Sequence, residues 1–355
     1  MLKETKTEAS ILRSVEEQLS KRLPPEWALR LERQTDAGGR RPNATLTLRS
    51  PDGRFGVVAI EVKKAVEPRQ VSEIERQVAI GQKFETTLVA APFLSPRTRE
   101  LLTAAGLSYG DLTGNFRLVT SQPALFVEAR GKTKNPWRTA RPLMSLKGPA
   151  VARVIRALCD YRPPYSTSDL AERSQASLAS TSRVVKFLER EALLKTKGRG
   201  LVVDVSWDTL IRRWAQDYSV LKANSVSSFL EPRGLRSLTA SLRSTRLWYA
   251  VTGSLAAQIS TSVAPARLAM IYTRDSRVLA DGLDLRPVEA GANVLLLEPF
   301  SPVVFDRSSI REEGLRCVAF SQAAADLLTS PGRGPSEGEE LLRWMRETES
   351  GAWRA

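Results

Sequence analysis

Ser180, Ser182, Arg183 and Lys186 fall on one side of residues 179–191, because Thr181, Val184, Val185 and Leu188 recur at three- and four-residue spacing and occupy the other side. A helix exposing small hydroxyls and two cations is suited to hydrogen bonding with base edges and to charge-assisted bonds with phosphate. Just downstream, Lys195, Lys197 and Arg199 interleave with Gly198 and Gly200. Cations on a glycine-tipped hairpin suit a phosphate backbone better than a base. The sequence contains no histidine. That removes the commonest general base and metal ligand, and with it Ser-His-Asp, Cys-His and histidine–zinc chemistry. Carboxylate, lysine and hydroxyl chemistry remains.

The elements that must position these residues follow one another between 147 and 205. They are a helix over 150–161, a Pro163-Pro164 turn, a short helix over 168–173 behind a Ser166-Thr167-Ser168 cap, the helix 179–191 and a hairpin over 194–205. This is the order of parts in a winged helix-turn-helix, with 179–191 as recognition helix. Val154, Leu158, Leu170, Val185 and Leu188 are its expected core by spacing. Residues 131–146 are rich in cations, proline and glycine and lack apolar periodicity, so they read as a linker. Arg138 and Arg141 within it are candidates to follow a phosphate backbone or enter a minor groove. The charge distribution agrees. The chain carries 53 Lys+Arg and 39 Asp+Glu for a net +14, and residues 117–200 hold 17 cations against 6 acids, an excess of +11 in under a quarter of the length. Such a surface attracts phosphate before any base is read.

With 355 residues, 42% hydrophobic and 26% charged, the chain has the composition of a well-cored globular protein of two or three domains. No apolar run approaches the roughly 18 residues that span a bilayer, and the N-terminus lacks the apolar core of a signal peptide. A cytoplasmic protein without a membrane partner is expected. Cys159 and Cys317 both lie in apolar segments. Two distant cysteines make neither a metal knuckle nor a disulfide framework, so buried free thiols are expected, with no metal and no cofactor.

Residues 1–130 follow an α/β order. A helix over 8–23 stops at Pro24-Pro25, and strands are expected over 27–31, 44–48 and 55–63, with Pro51-Asp52-Gly53 turning between the second and third. A helix over 71–82, a buried strand over 87–91, a helix from the Ser95-Pro96 cap to Ala105 and a strand pair around 116–129 complete it. Asp111, Thr113 and Asn115 are assigned to turn chemistry. Pro42-Asn43, followed after the hairpin by Glu61-Val62-Lys63, resembles the signature of the PD-(D/E)xK nuclease-like fold. The resemblance implies two acids on adjacent strands holding a divalent metal, and a lysine polarising the attacking water. It makes Glu61 and Lys63 the catalytic candidates. Asn43 stands where the first acid belongs, and a neutral amide is a poor hard-metal ligand. Glu16 or Glu17 is an alternative donor, and Asp36 or Asp52 a displaced one. An inactive nuclease-like domain is expected, with Lys63 and Lys64 at a strand end in solvent or, at most, on phosphate.

After 206 the charge returns to balance and a further α/β region begins. A helix over 209–218, a strand-turn-helix over 248–257, strands over 267–272 and 293–297, and helices over 322–328 and 336–347 are expected. Thr252-Gly253-Ser254 at a helix start is a candidate phosphate turn of the kind that opens nucleotidyltransferase-like folds. Asp275 and Asp281 come too late to supply that chemistry's paired acids. The helix-turn-helix region, residues 248–257, Gly291-Ala-Asn-Val-Leu-Leu-Leu-Glu-Pro299 and residues 321–334 together resemble bacterial AbiEi-type proteins over about 147–347. The resemblance implies a transcriptional regulator and antitoxin of a type IV toxin–antitoxin system, whose winged helix represses its own promoter. AbiEi-type proteins usually carry the winged helix at the N-terminus, and the region ahead of it here departs from that plan. The expected class is therefore a mixed α/β and α+β multidomain protein: nuclease-like 1–130, linker 131–146, winged helix 147–205 and nucleotidyltransferase-like 206–355. The expected function is sequence-specific binding of double-stranded DNA as a transcriptional regulator, with a homodimer and a toxin partner as open options. A metal-dependent nuclease and an antitoxin are the alternatives.

Overall fold

In the computed structural model, which describes residues 7–33, 42–79, 84–137, 145–258, 265–311, 313–348 and 353–355, the chain is mixed α/β with two seven-stranded mixed sheets. It divides into two units, Met1–Arg141 and, but for residues 190–192, the remainder from Pro142 to Ala355. No described helix is long and apolar enough to cross a membrane.

The N-terminal unit starts where the Thr7 side chain accepts a hydrogen bond from the Ser10 N–H and caps α1 (Glu8–Ser20). Its strands are β1 (Ala28–Arg33), β2 (Ala44–Arg49), β3 (Phe55–Val62), β4 (Thr86–Ala91), β5 (Ser108–Asp111), β6 (Phe116–Thr120) and β7 (Leu125–Ala129), and they lie side by side in chain order. β3, β4 and β5 run parallel and the outer pairs antiparallel. The parallel connections are made by α2 (Val71–Ala79), behind a 3-10 turn Pro68–Gln70, and by α3 (Pro96–Ala104), which the Ser95 hydroxyl caps. β4 reads as a continuous apolar run because both its faces are covered. Leu88 and Ala90 pack with Ile11, Leu12 and Val15 of α1, while Val89 and Ala91 pack with Ile74 and Leu102 of α2 and α3.

β5 lies in a stretch expected to be irregular. Four residues that include a glycine carry too little periodicity to announce a strand, yet all four are buried. The Asp111 carboxylate then accepts hydrogen bonds from Thr113 N and Oγ1 at 2.8 and 2.7 Å, Asn115 N and Nδ2 at 3.1 and 2.9 Å, and Leu94 N at 3.0 Å. Asn115 in turn receives Gly131 N at 2.9 Å, and a Cβ at Gly131 would meet Thr113 O at 2.2 Å. The three polar residues build a turn, as expected.

The second unit opens with α4 (Pro149–Asp160), α5 (Thr167–Ser174), α6 (Leu178–Arg190) and the hairpin β8 (Leu194–Lys197) and β9 (Leu201–Val205). Then follow α7 (Trp207–Ala215), α8 (Val220–Ala223), β10 (Ser225–Leu230), α9 (Leu235–Ser244), β11 (Tyr249–Thr252), α10 (Gly253–Ala257), β12 (Ala269–Thr273), α11 (Ser276–Gly282), β13 (Arg286–Pro287) and β14 (Val294–Glu298). A 3-10 turn Pro302–Phe305, β15 (Ser309–Ile310), β16 (Arg316–Cys317), α12 (Phe320–Leu328) and α13 (Gly334–Glu347) close the chain. The sheet order is β13-β10-β14-β12-β11-β16-β15. Alternate residues of its central strands face opposite layers. Val251, Ile271 and Leu296 pack with Leu238 and Leu242 of α9 and Leu279 of α11, whereas Ala250, Met270 and Tyr272 share a core with α4, α6, α7, α12 and α13. That core is continuous from Leu146 to Met345, across the boundary expected at 205/206. Cys159 and Cys317 are buried and free, and burial pushes the Cys317 thiol up to about 11 and the Cys159 thiol higher still.

The junction between α4 and the sheet layer is polar. Arg156, 1% exposed, donates from Nε and Nη2 to Asp160 Oδ2 at 3.1 and 2.8 Å, from Nε to Ser321 Oγ at 2.9 Å, and from Nη1 to Gln322 Oε1 and Val303 O at 3.0 Å. Nη2 also reaches Asp306 O at 2.9 Å. Gln322 passes the chain on to Asp326 at 2.9 Å, and the Asp326 carboxylate accepts from Tyr218 at 2.7 Å, Thr252 at 2.6 Å and Tyr272 at 3.2 Å. Burial outweighs these donors and pushes the Asp326 carboxyl from 3.8 up to about 6. The folded state therefore holds a proton that the unfolded chain has released, and this contribution to stability is lost as pH rises from about 4 to about 6. Carboxylates such as Glu298, held low by the Ser276 hydroxyl, act in the opposite direction. The test is thus a difference: wild type minus Asp326→Asn in urea unfolding should fall by about 3 kcal/mol across that window. A difference independent of pH would mean that Asp326 is not protonated in the fold.

Candidate nucleic-acid interface

Gln175 ends α5 in the left-handed conformation, φ 49°, and α6 begins three residues later, so the two helices are joined by a tight turn. Ser177 accepts the Ser180 N–H at 3.2 Å and satisfies one orphan donor of α6. Thr181, Val184, Val185, Phe187 and Leu188 form the buried face. Val154, Leu158 and Leu170 are fully buried with Val185 and Leu188, as their spacing predicts. On the opposite face Ser180 and Ser182 are half-buried and Arg183 and Lys186 exposed. Arg183 folds back on its own helix, donating from Nε to Ala179 O and from Nη2 to Ser180 Oγ, both at 3.3 Å. Among the described residues neither Arg183 nor Lys186 forms an ion pair with a carboxylate. Leu178, 56% exposed in the first turn of α6, is an apolar side chain that the spacing did not single out.

β8 and β9 pair antiparallel with an irregularity between Lys195 and Thr196. Gly198 and Gly200 take φ values of 54° and 91° at the tip, a conformation that favours glycine. Lys195, Lys197 and Arg199 are all exposed. Lys195 Nζ lies 3.2 Å from Asp204 Oδ2, a solvent-exposed pair of little energetic weight. Thr167 of α5 donates to Gly200 O at 3.0 Å, and Tyr165 bridges to Val202, so the hairpin is fastened beside the helices. Thr167 was legible only as part of a cap, and its cross-link to the hairpin is a tertiary contact. Arg138 and Arg141 lie outside the described residues.

The PD-(D/E)xK-like residues are held in the other unit. Ala44 pairs with Ile60, which sets Asn43 opposite Glu61 at the end of the β2–β3 pair. Asn43 Oδ1 accepts the Val62 N–H at 2.8 Å, a backbone task that an amide performs well. Lys63 Nζ lies 3.4 Å from Glu61 Oε2, both partly exposed, and Lys64 is exposed. Asp52 is at the far end of the same hairpin, bonded to Ser50 and paired with Arg54 at 3.2 Å. Five or more residues of strand, at about 3.3 Å each, separate it from Glu61, so it is no substitute ligand. Glu16 is half-buried and Glu17 exposed on α1, and Asp36 lies outside the described residues. No group of three or more acids or cysteines among the described residues is arranged to hold a metal ion.

The Thr252-Gly253-Ser254 turn is committed internally. Thr252 bonds Asp326, Ser254 bonds Glu337 at 2.5 Å, and a Cβ at Gly253 would meet Met270 Cε at 2.4 Å. Two carboxylates holding the hydroxyls disfavour a phosphate there. Asp275 caps α11, accepting from Arg277 and Val278 N–H at 3.0 Å. No protein-family model, curated protein or solved structure matches the chain.

Proposed function

We propose that the chain is a transcriptional regulator that binds double-stranded DNA in a sequence-specific manner, with residues 147–205 as a winged helix-turn-helix. The observation that carries this reading is the exposed cationic face of α6 beside the anchored Gly-tipped hairpin. Ser180, Ser182 and Arg183 read base edges, Lys186 adds charge at the groove, and Lys195, Lys197 and Arg199 follow the backbone. Selection from a random duplex pool should enrich one sequence. Enrichment of none would remove the sequence-specific reading. In the Lys195→Ala/Lys197→Ala/Arg199→Ala variant, the slope of log K against log salt should flatten by about one per lost phosphate contact. Specific and non-specific affinity should fall together, and an unchanged slope would place the hairpin away from DNA.

The nuclease-like unit is proposed as a scaffold without catalysis. The Asn43–Val62 hydrogen bond and the distance to Asp52 support this, since Glu61 alone supplies too little negative charge for Mg²⁺. Purified protein should leave supercoiled, linear and branched DNA intact in Mg²⁺ or Mn²⁺. Metal-dependent cleavage lost in both Glu61→Ala and Lys63→Ala would establish a nuclease instead. The strand-turn-helix at β11–α10 keeps the AbiEi-type antitoxin as the second reading, tested by co-purification with the product of an adjacent toxin gene.

A further inference from the structure

Beyond duplex recognition, we infer that a strip of the second unit running from Trp248 to Tyr161 binds single-stranded nucleic acid, stacking bases on aromatic rings flanked by arginines. Trp248 directly precedes β11 and is 42% exposed. Tyr249 pairs with Thr273, so Arg274 stands across from Trp248 at the end of β12, with its guanidinium carbon 5.8 Å from the indole centroid. Arg316 of the neighbouring strand β16 lies closer, at 4.7 Å. The Phe305 ring approaches Trp248 edge-on at 6.1 Å. From the same turn Arg307 lies 5.4 Å over the Tyr161 ring, and Arg173 of α5 lies 5.1 Å over it.

The exposed Trp248, the half-buried Phe305 and Tyr161, and four guanidinium groups thus follow one another toward the helix-turn-helix. Among the described residues none of the four arginines forms an ion pair with a carboxylate. Asp275 is occupied as the cap of α11, Asp306 faces Arg156 and Arg153, and Asp169 is the acid that interacts with Arg173. A large exposed tryptophan within a strip of arginines that form no ion pair matches a polyanion that also offers π-faces. A duplex keeps its bases stacked inside and presents only phosphate and groove edges. A single strand can splay bases onto the rings while its phosphates meet the arginines.

The test is fluorescence anisotropy of the full chain with short labelled oligo-dT and oligo-U, beside a duplex, at fixed salt. Trp248→Ala and the Arg274→Ala/Arg316→Ala double variant should each weaken single-strand binding about tenfold or more. Trp248→Phe should retain most of the affinity, and duplex binding should be little changed in all three. The stronger of oligo-dT and oligo-U identifies the strand as DNA or RNA. The inference fails if the arginine double variant, folded by circular dichroism, binds both oligonucleotides as wild type does. It fails equally if duplex and single-strand affinity fall by the same factor, since the strip would then extend the duplex site. These outcomes do not depend on α6, whose variants report on the duplex reading alone.

Discussion

Arg156→Ala should destabilise the protein by about 3–5 kcal/mol, the cost of leaving a buried charge without its partner. The Asp160 side chain, on a residue 3% exposed, would keep the Ser321 hydroxyl as its donor among the described residues, while Gln322 Oε1 and the Val303 and Asp306 carbonyls would each lose a donor. The loss should reach function, because α4 packs under α5 and shares one core with α6 and α12. The companion variant Arg156→Leu/Asp160→Leu removes both charges at once. It should recover much of the stability, since a buried pair is often replaceable by apolar side chains of similar volume. Urea unfolding of both variants measures this directly. An Arg156→Ala protein within about 1 kcal/mol of wild type would mean that water or a rearranged loop satisfies these groups, and that the network is dispensable.

Arg183→Ala/Lys186→Ala should weaken binding to the selected duplex by roughly 2–5 kcal/mol, while binding to unrelated duplex falls less. Both side chains are exposed and none of the buried face of α6 is touched, so the fold should be retained. Arg183 must leave its bonds to Ala179 O and Ser180 Oγ to reach a base, and at 3.3 Å these are weak tethers. Unchanged affinity in a gel-shift titration, with circular dichroism unaltered, would remove α6 from the reading role. Equal losses on selected and unrelated duplex would reassign both residues to phosphate.

Elements with strong local signals were legible from sequence. Apolar spacing placed α1, α4 and α6 to within a few residues, hydroxyl caps marked α3 and α5, and the glycines at 198 and 200 marked the hairpin tip. β5 and β10 were not found. β5 is four residues long and contains a glycine, and β10 is Ser-rich with Phe229 as its one buried residue. A strand of this kind is held by its neighbours in the ladder more than by its own propensity.

Composition and local pattern alone determined the cationic character of 117–200, the absence of histidine chemistry, the outward face of α6 and the core role of Val154, Leu158, Leu170, Val185 and Leu188. Each depends on side-chain type and on a repeat of three to four residues along one helix. Tertiary structure decided the rest. It set Asn43 against the Val62 N–H, carried Asp52 to the wrong end of its hairpin, brought Ser321 to Arg156 from 165 residues away, and placed Arg274 and Arg316 around Trp248. Those partners meet only because sheet register and packing close long loops, and the position of a residue in the chain does not encode which distant group will satisfy its hydrogen bonds.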